Sequence, residues 1–177
     1  MEPLEIVDRL KEKFIAEVVD VTQFSDQVFV SVRRERITDI CRFLHDDPDM
    51  HMDYLADLCG VDYPDKQFRY EVVYNLYSIK HKHRLMIKAL IPENDPGIDS
   101  VVPVWSAANW HEREVCDMFG IIFNGHPDLR RILLPEDWEG HPLRKDYPLK
   151  GPEGWEYKGY EETKELHTHD NEWNIRS

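Results

Sequence analysis

Apolar and polar positions alternate along this chain with two different periods. Leu4, Val7, Leu10 and Phe14 recur at helical spacing, and Pro3 suits a first turn, so the chain opens with an amphipathic helix. Val18–Thr22 and Val28–Val32 are rich in β-formers, with Ser25-Asp26 as turn chemistry between them, which predicts a hairpin. Ile37, Ile40, Cys41 and Leu44 return to one helix face. Asp46-Asp47-Pro48 ends that helix, because a residue before proline avoids the helical region. The stretch from Tyr54 to Val61 suits either a short helix or a buried strand. Phe68, Tyr70, Val72, Tyr74 and Leu76 then alternate with mostly polar residues, and Leu85, Ile87, Ala89 and Ile91 do the same. The polar turn Lys80-His81-Lys82-His83 separates these runs, predicting a half-buried antiparallel pair. Residues 93–97 form a loop, and Ser100 is placed to cap a brief helix reaching Trp105. The sum is an α+β domain of two layers.

Residues 109–149 break this regularity. Asn109 and Glu112 have capping-box spacing, and Gly120 sits where a helix stops on a left-handed residue. Between them Trp110, Arg113, Glu114 and Asp117 share one face, opposite Val115, Met118 and Phe119. Beyond Gly120 the glycines and prolines at 125, 127, 135, 140, 142 and 148 come too often for a long helix or strand. The prediction is a helix followed by a long, irregular, charged arm. The α+β domain is assigned to 1–124, and 125–177 to an extended C-terminal arm and tail wrapping a partner. The tail from Gly151 mixes charges with Trp155, Tyr157, Tyr160 and Trp173, without periodicity.

Charge narrows the function. The 177 residues carry 22 Lys+Arg against 35 Asp+Glu, a formal net charge of −13. That sign argues against a nucleic-acid binder, which needs a basic patch to release phosphate counterions. No run approaches a membrane-spanning length and no secretion signal opens the chain, so the expected location is cytoplasmic, with membrane contact only through partners. Cys41, Cys59 and Cys116 lack a Cys-x-x-Cys pair and fall short of the four thiolates of a usual iron–sulfur cluster.

The chemistry-bearing side chains allow two readings. His81/His83 and His167/His169 form His-x-His pairs, and His111, His126 and His141 are evenly spaced. A metal-dependent hydrolase built on His126, His141, Asp128 and Asp146 is one possibility. The plainer one is that the two Gly-His-Pro motifs make turns whose imidazoles bond irregular backbone. Glu112, Glu114 and Asp117 could act as paired carboxylates. Arg113, Arg130, Arg131, Arg144 and Lys145 lie close by in sequence, and arginine matches carboxylates bidentately, which favours a salt-bridge network fixing the arm to the helix or to a partner. Glycine-rich nucleotide loops and nucleophile elbows are absent.

Glu112-Arg113-Glu114, Asp117, Gly120-Ile121, GHPDLRR at 125–131 and GHPLRKDYP at 140–148 resemble the signature of the C-type subunit of respiratory NADH:quinone oxidoreductase, complex I, and its relatives in membrane-bound hydrogenases and other quinone-linked complexes. Residues 32–64 also resemble the family's middle region. The resemblance implies a mixed sheet, largely antiparallel, with helices on one side. It implies a non-catalytic subunit of the peripheral arm, on the cytoplasmic face of a bacterial inner membrane. Such a subunit docks on the D-type, quinone-site subunit and on the B-type, iron–sulfur subunit, with the I-type subunit nearby. FMN and the iron–sulfur clusters then belong to partners, and this chain holds no cofactor, metal or catalytic residue. The positions carried over as partner-binding or signature residues are Glu112, Arg113, Glu114, Asp117, Phe119, Gly120, His126, Asp128, Arg130, Arg131, His141, Arg144, Lys145, Asp146 and Tyr147.

Overall fold

The computed structural model describes residues 2–149. Residues 2–147 belong to one compact unit. Aromatic positions 155, 157, 160 and 173 and the His167/His169 pair therefore lie outside the described residues.

Helix α1 (Pro3–Lys13) buries Ile6, Val7 and Leu10, whereas Leu4 stays half-exposed at its edge. The hairpin follows as β1 (Val18–Phe24) and β2 (Gln27–Arg33), with Ser25 at positive φ in the tight turn. Helix α2 (Ile37–Asp46) turns Ile37, Ile40, Cys41 and Leu44 fully inward. The ambiguous stretch is a strand, β3 (Tyr54–Asp62), which runs antiparallel to β4 (Tyr70–Tyr77); β4 in turn runs antiparallel to β5 (Arg84–Ile91).

The sheet order is β1-β2-β5-β4-β3. All neighbours are antiparallel except β2 and β5, paired in parallel with Val30 opposite Ile87. This is the mixed, largely antiparallel sheet expected. Alternate residues Val28, Val30 and Val32, then Leu85, Ile87, Ala89 and Ile91, point to one face and join the helices in a single core. The other face carries half-buried or exposed side chains such as Phe29, Met86 and Lys88.

Past β5 the expectations need two corrections. Residues 101–107 form turns and no helix: Ser100 Oγ accepts the Val102 N–H, but its hydroxyl is committed to Glu112. Residues 122–124 form a strand, β7 (Ile122–Asn124), that pairs in parallel with β6 (Gly97–Asp99). Three-residue strands are too short to show alternation. Helix α3 (Ala108–Phe119) lies between β6 and β7 in sequence and packs on β3.

Candidate functional site: the α3–arm junction

Helix α3 begins two residues earlier than predicted, with Ala107 at the N-cap and no side-chain cap. Asn109 is inside the helix, and Glu112 does not reach back to it. Glu112 is fully buried and faces the preceding loop: Ser100 Oγ donates to it at 2.6 Å and the Val101 N–H at 2.7 Å. Burial pushes its carboxyl up to about 7, against the lowering effect of those two donors. His126 Nε2 lies 4.0 Å from the same carboxylate. That imidazole receives the Asp128 N–H on Nδ1, so its proton sits on Nε2 and is donated to the Asn109 carbonyl at 3.1 Å. His126 therefore fastens the start of the arm to the first turn of α3.

Asp117 is the centre of the junction, its carboxylate wholly out of solvent. One oxygen receives Arg131 Nη1 at 2.7 Å. The other receives three consecutive backbone N–H groups, from Ile132, Leu133 and Leu134, at 3.0–3.2 Å. Burial alone would raise its pKa; the three amides and Arg131 outweigh it and hold the carboxyl below its ordinary value.

The arm in turn completes the helix C-terminus. A helix leaves its last four carbonyls without intrahelical donors. In α3 the Cys116 carbonyl receives the Gly120 N–H, Asp117 receives His141 Nδ1, Met118 receives the Leu143 N–H, and Phe119 receives Arg144 Nε. Gly120 has the left-handed φ of +71° predicted for it, and a Cβ there would lie 2.5 Å from both His141 and Arg144. Burial and the Arg144 and Arg131 charges depress His141, keeping it neutral with its proton on Nδ1.

The arginines find fewer carboxylates than expected. Arg131 pairs with Asp117, but Arg113 donates to the carbonyls of Arg130 and Arg131. Arg130 extends into solvent and pairs with exposed Asp128. The predicted shared face of α3 is split, because the arm covers one side of it: Arg113 and Asp117 are buried, whereas Trp110 and Glu114 remain exposed. Phe119 lies against β3, where a Cβ on Gly60 would come within 2.6 Å of its ring.

Two residues that the sequence pattern did not single out hold the far end. Arg69 grips Asp62 bidentately at 2.9 and 3.1 Å and also reaches Glu93 and Asp146. Asp62 accepts the Lys145 N–H at 2.7 Å, and Arg144 stacks over the Tyr70 ring. The missed signal was parity: Asp62 shares the inward parity of Leu58 and Gly60. The last signature residue, Tyr147, covers Gly140 and donates its hydroxyl to the Glu139 carbonyl.

The candidate hydrolase residues do not converge. His126 serves Asn109, His141 serves the α3 terminus, Asp146 serves Arg69, and Asp128 faces solvent. Among the described residues no cluster of three or more His, Cys, Asp or Glu is arranged to hold a metal, and no helix is long and apolar enough to cross a membrane.

Residues 30–153 match the model of the respiratory-chain NADH dehydrogenase 30 Kd subunit. This chain belongs to that family. It is 54% identical over 154 residues to the C-type subunit of NADH-quinone oxidoreductase from Geobacter sulfurreducens, covering 86% of this chain and 94% of that one. The C-type subunit from a Roseiflexus species is 48% identical over 148 residues, 84% and 85% of the two chains. A solved trypsin-resistant fragment of Nqo5 superposes with a TM-score of 0.60 at 32% identity, over 73% of this chain and all of the fragment. The membrane-bound sulfane sulfur reductase, an archaeal respiratory complex, contains a chain with the same fold: TM-score 0.67, 24% identity, 93% of this chain and 91% of that one. The family match spans the whole α3–arm junction.

Proposed function

We propose that this chain is a non-catalytic subunit of the peripheral arm of a proton-translocating NADH:quinone oxidoreductase. In this reading it docks on the D-type, quinone-site subunit and the B-type, iron–sulfur subunit, with the I-type subunit near them, on the cytoplasmic face of the inner membrane. It holds no cofactor itself; FMN and the iron–sulfur clusters lie in the partners.

The observation that carries this reading is how the junction uses its reactive groups. Asp117 and Glu112 accept from backbone amides, Glu112 also from a loop hydroxyl and Asp117 from Arg131, while His126 and His141 donate to backbone carbonyls, and together they shape a surface. Arg130 and Glu114 remain on the outside of that shape, available to a neighbour. Interfaces of this kind are dominated by a few arginine and aromatic anchors.

The test is purification of the tagged chain from gently solubilised membranes, wild type against Arg130→Ala. Wild type is expected to bring NADH-binding and quinone-site subunits in equal amounts. Arg130→Ala is expected to lower the yield of complex while leaving turnover per assembled complex unchanged. Normal yield with lost turnover would place chemistry in this chain and overturn the reading. Recovery of a nickel–iron hydrogenase instead would move the chain to a related membrane-bound assembly.

A further inference from the structure

Among the described residues strand β3 is the last strand of its sheet, so one of its edges has no described strand beside it. A groove of about 240 Å³ lies there. It is lined by all of Asp57, Leu58, Cys59 and Gly60, although neighbouring strand residues point to opposite faces of a sheet. A single groove can touch all four only by running along the free edge. Val115, Met118 and Phe119 of α3 give it an apolar floor, and Leu143 of the arm forms a further wall. The groove therefore exists because the arm is folded onto the helix: Leu143 is held there by its N–H on the Met118 carbonyl.

Its rim is acidic. Asp57 and Glu114 are both exposed and both line the groove. Glu114 has no ion pair among the described residues, and Asp57 meets only His111, at 3.7 Å. Among the described residues no Lys or Arg lines the groove. Cys59 lines the groove with these carboxylates; after burial, their charges are what push its thiol above the ordinary value.

A free strand edge offers backbone donors and acceptors, an apolar floor takes aliphatic or aromatic surface, and two carboxylates without a Lys or Arg partner favour a cation. These three features are met together by one kind of occupant. Resting on the assembly role above, we infer that the β3 edge groove receives an extended, basic segment of a neighbouring subunit. That segment adds to β3 through its main chain and lays the stem of a Lys or Arg on Met118 and Leu143, with its charge between Asp57 and Glu114. Strand addition gives affinity without sequence demand, and the acidic rim gives selectivity against acidic segments.

Cys59 is the built-in reporter, since it is the exposed thiol of the three. N-ethylmaleimide labelling is compared in the purified chain and in the intact complex. Protection of Cys59 by about tenfold or more in the complex is expected, as for any side chain enclosed at an interface. Equal labelling overturns the inference. Charge is tested separately with Asp57→Lys/Glu114→Lys against Asp57→Asn/Glu114→Gln. Both pairs sit on the surface and are expected to leave the melting temperature of the free chain unchanged. The reversal should reduce retention in the complex about tenfold more than the neutral pair. Indistinguishable retention would mean that the occupant is not basic. The two readings fail differently: a chain that co-purifies with no partner sinks the assembly role, whereas a chain that co-purifies with fully reactive Cys59 sinks only the groove.

Discussion

The sheet between Val28 and Ile91 and the arm between Gly125 and Tyr147 both lean on α3, but they hold it by different means. The sheet presents Leu58, Ile87 and their neighbours to the helix layer, and its backbone is satisfied strand to strand. The arm has almost no ladder partners. Asp117, Arg113 and Asp62 supply what its backbone lacks, and its own His141, Leu143 and Arg144 complete the end of α3. Irregular chain can thus be ordered without a core of its own when a few buried charges serve its backbone, three amides on Asp117, two carbonyls on Arg113 and one amide on Asp62. Such charges are costly to disturb, because the backbone groups bonded to each of them lose their partner together.

Asp117→Ala should expose this dependence most severely. It leaves three amides without their acceptor and Arg131 without its carboxylate, and is expected to cost about 3–5 kcal/mol. The loss should be local: amide exchange at 131–147 speeds up while β4 and β5 stay protected. Arm protection at wild-type level would show that the carboxylate is not what orders it. Ile87→Ala is the matching lesion in the sheet. It should cost about 3 kcal/mol through a core cavity, with the whole compact unit losing cooperative stability in a denaturant melt. If only the strands soften while the arm holds, the two regions are more independent than the shared helix implies.

Acidity separates the two carboxylates by sign. Glu112 is raised from 4.5 to about 7, so the folded chain binds its proton more tightly than the unfolded chain, and stability should fall as pH rises across that window. Asp117 is lowered from 3.8, so its contribution is present above that value and is lost as pH falls through the folded-state value below it. Glu112→Gln should flatten the slope between about pH 4.5 and 7, removing a change of about 3 kcal/mol. Glutamine can keep both contacts, accepting from Val101 and donating to Ser100. A wild-type slope in the variant would point to another titrating group. The smallest expected effect is that of Arg130→Ala on the isolated chain, under about 1 kcal/mol because its pair with Asp128 is solvent-exposed. A larger loss of stability would mean that Arg130 belongs to the fold and would remove it as a clean test of docking.

Helices α1 and α2 and strands β4 and β5 were legible because each spans enough residues for its period to show, as with Ile37, Ile40, Cys41 and Leu44. Strand β3 was ambiguous because Leu55 and Leu58 break alternation, and the register shift between Leu55 and Asp57 explains why. At the junction, the spacing singled out Asp117, Gly120 and the two Gly-His-Pro motifs as important. It paired charge with charge, however, whereas the fold mostly pairs charge with backbone. Nothing in linear spacing reveals that Glu112 turns to Ser100, or that three successive amides near Leu133 converge on one oxygen. Asp62 and Arg69 were missed for a related reason: the arm residues they hold, Lys145 and Asp146, are far along the chain.

That long link orders events in time. The five strands of the main sheet are complete once Ile91 has been synthesised, and the contacts of Asp117 with 131–134 close only short loops. The Lys145 amide reaches Asp62 across 83 residues, among the last described positions to be made. A chain released before residue 145 should form the sheet and begin to wind the arm, yet leave Asp62 and Arg69 without that final clasp. Pulse proteolysis of stalled nascent chains should therefore register the arm as a late, separate step, and the maturing subunit would acquire its β3 groove only once Leu143 has been made and seated on α3.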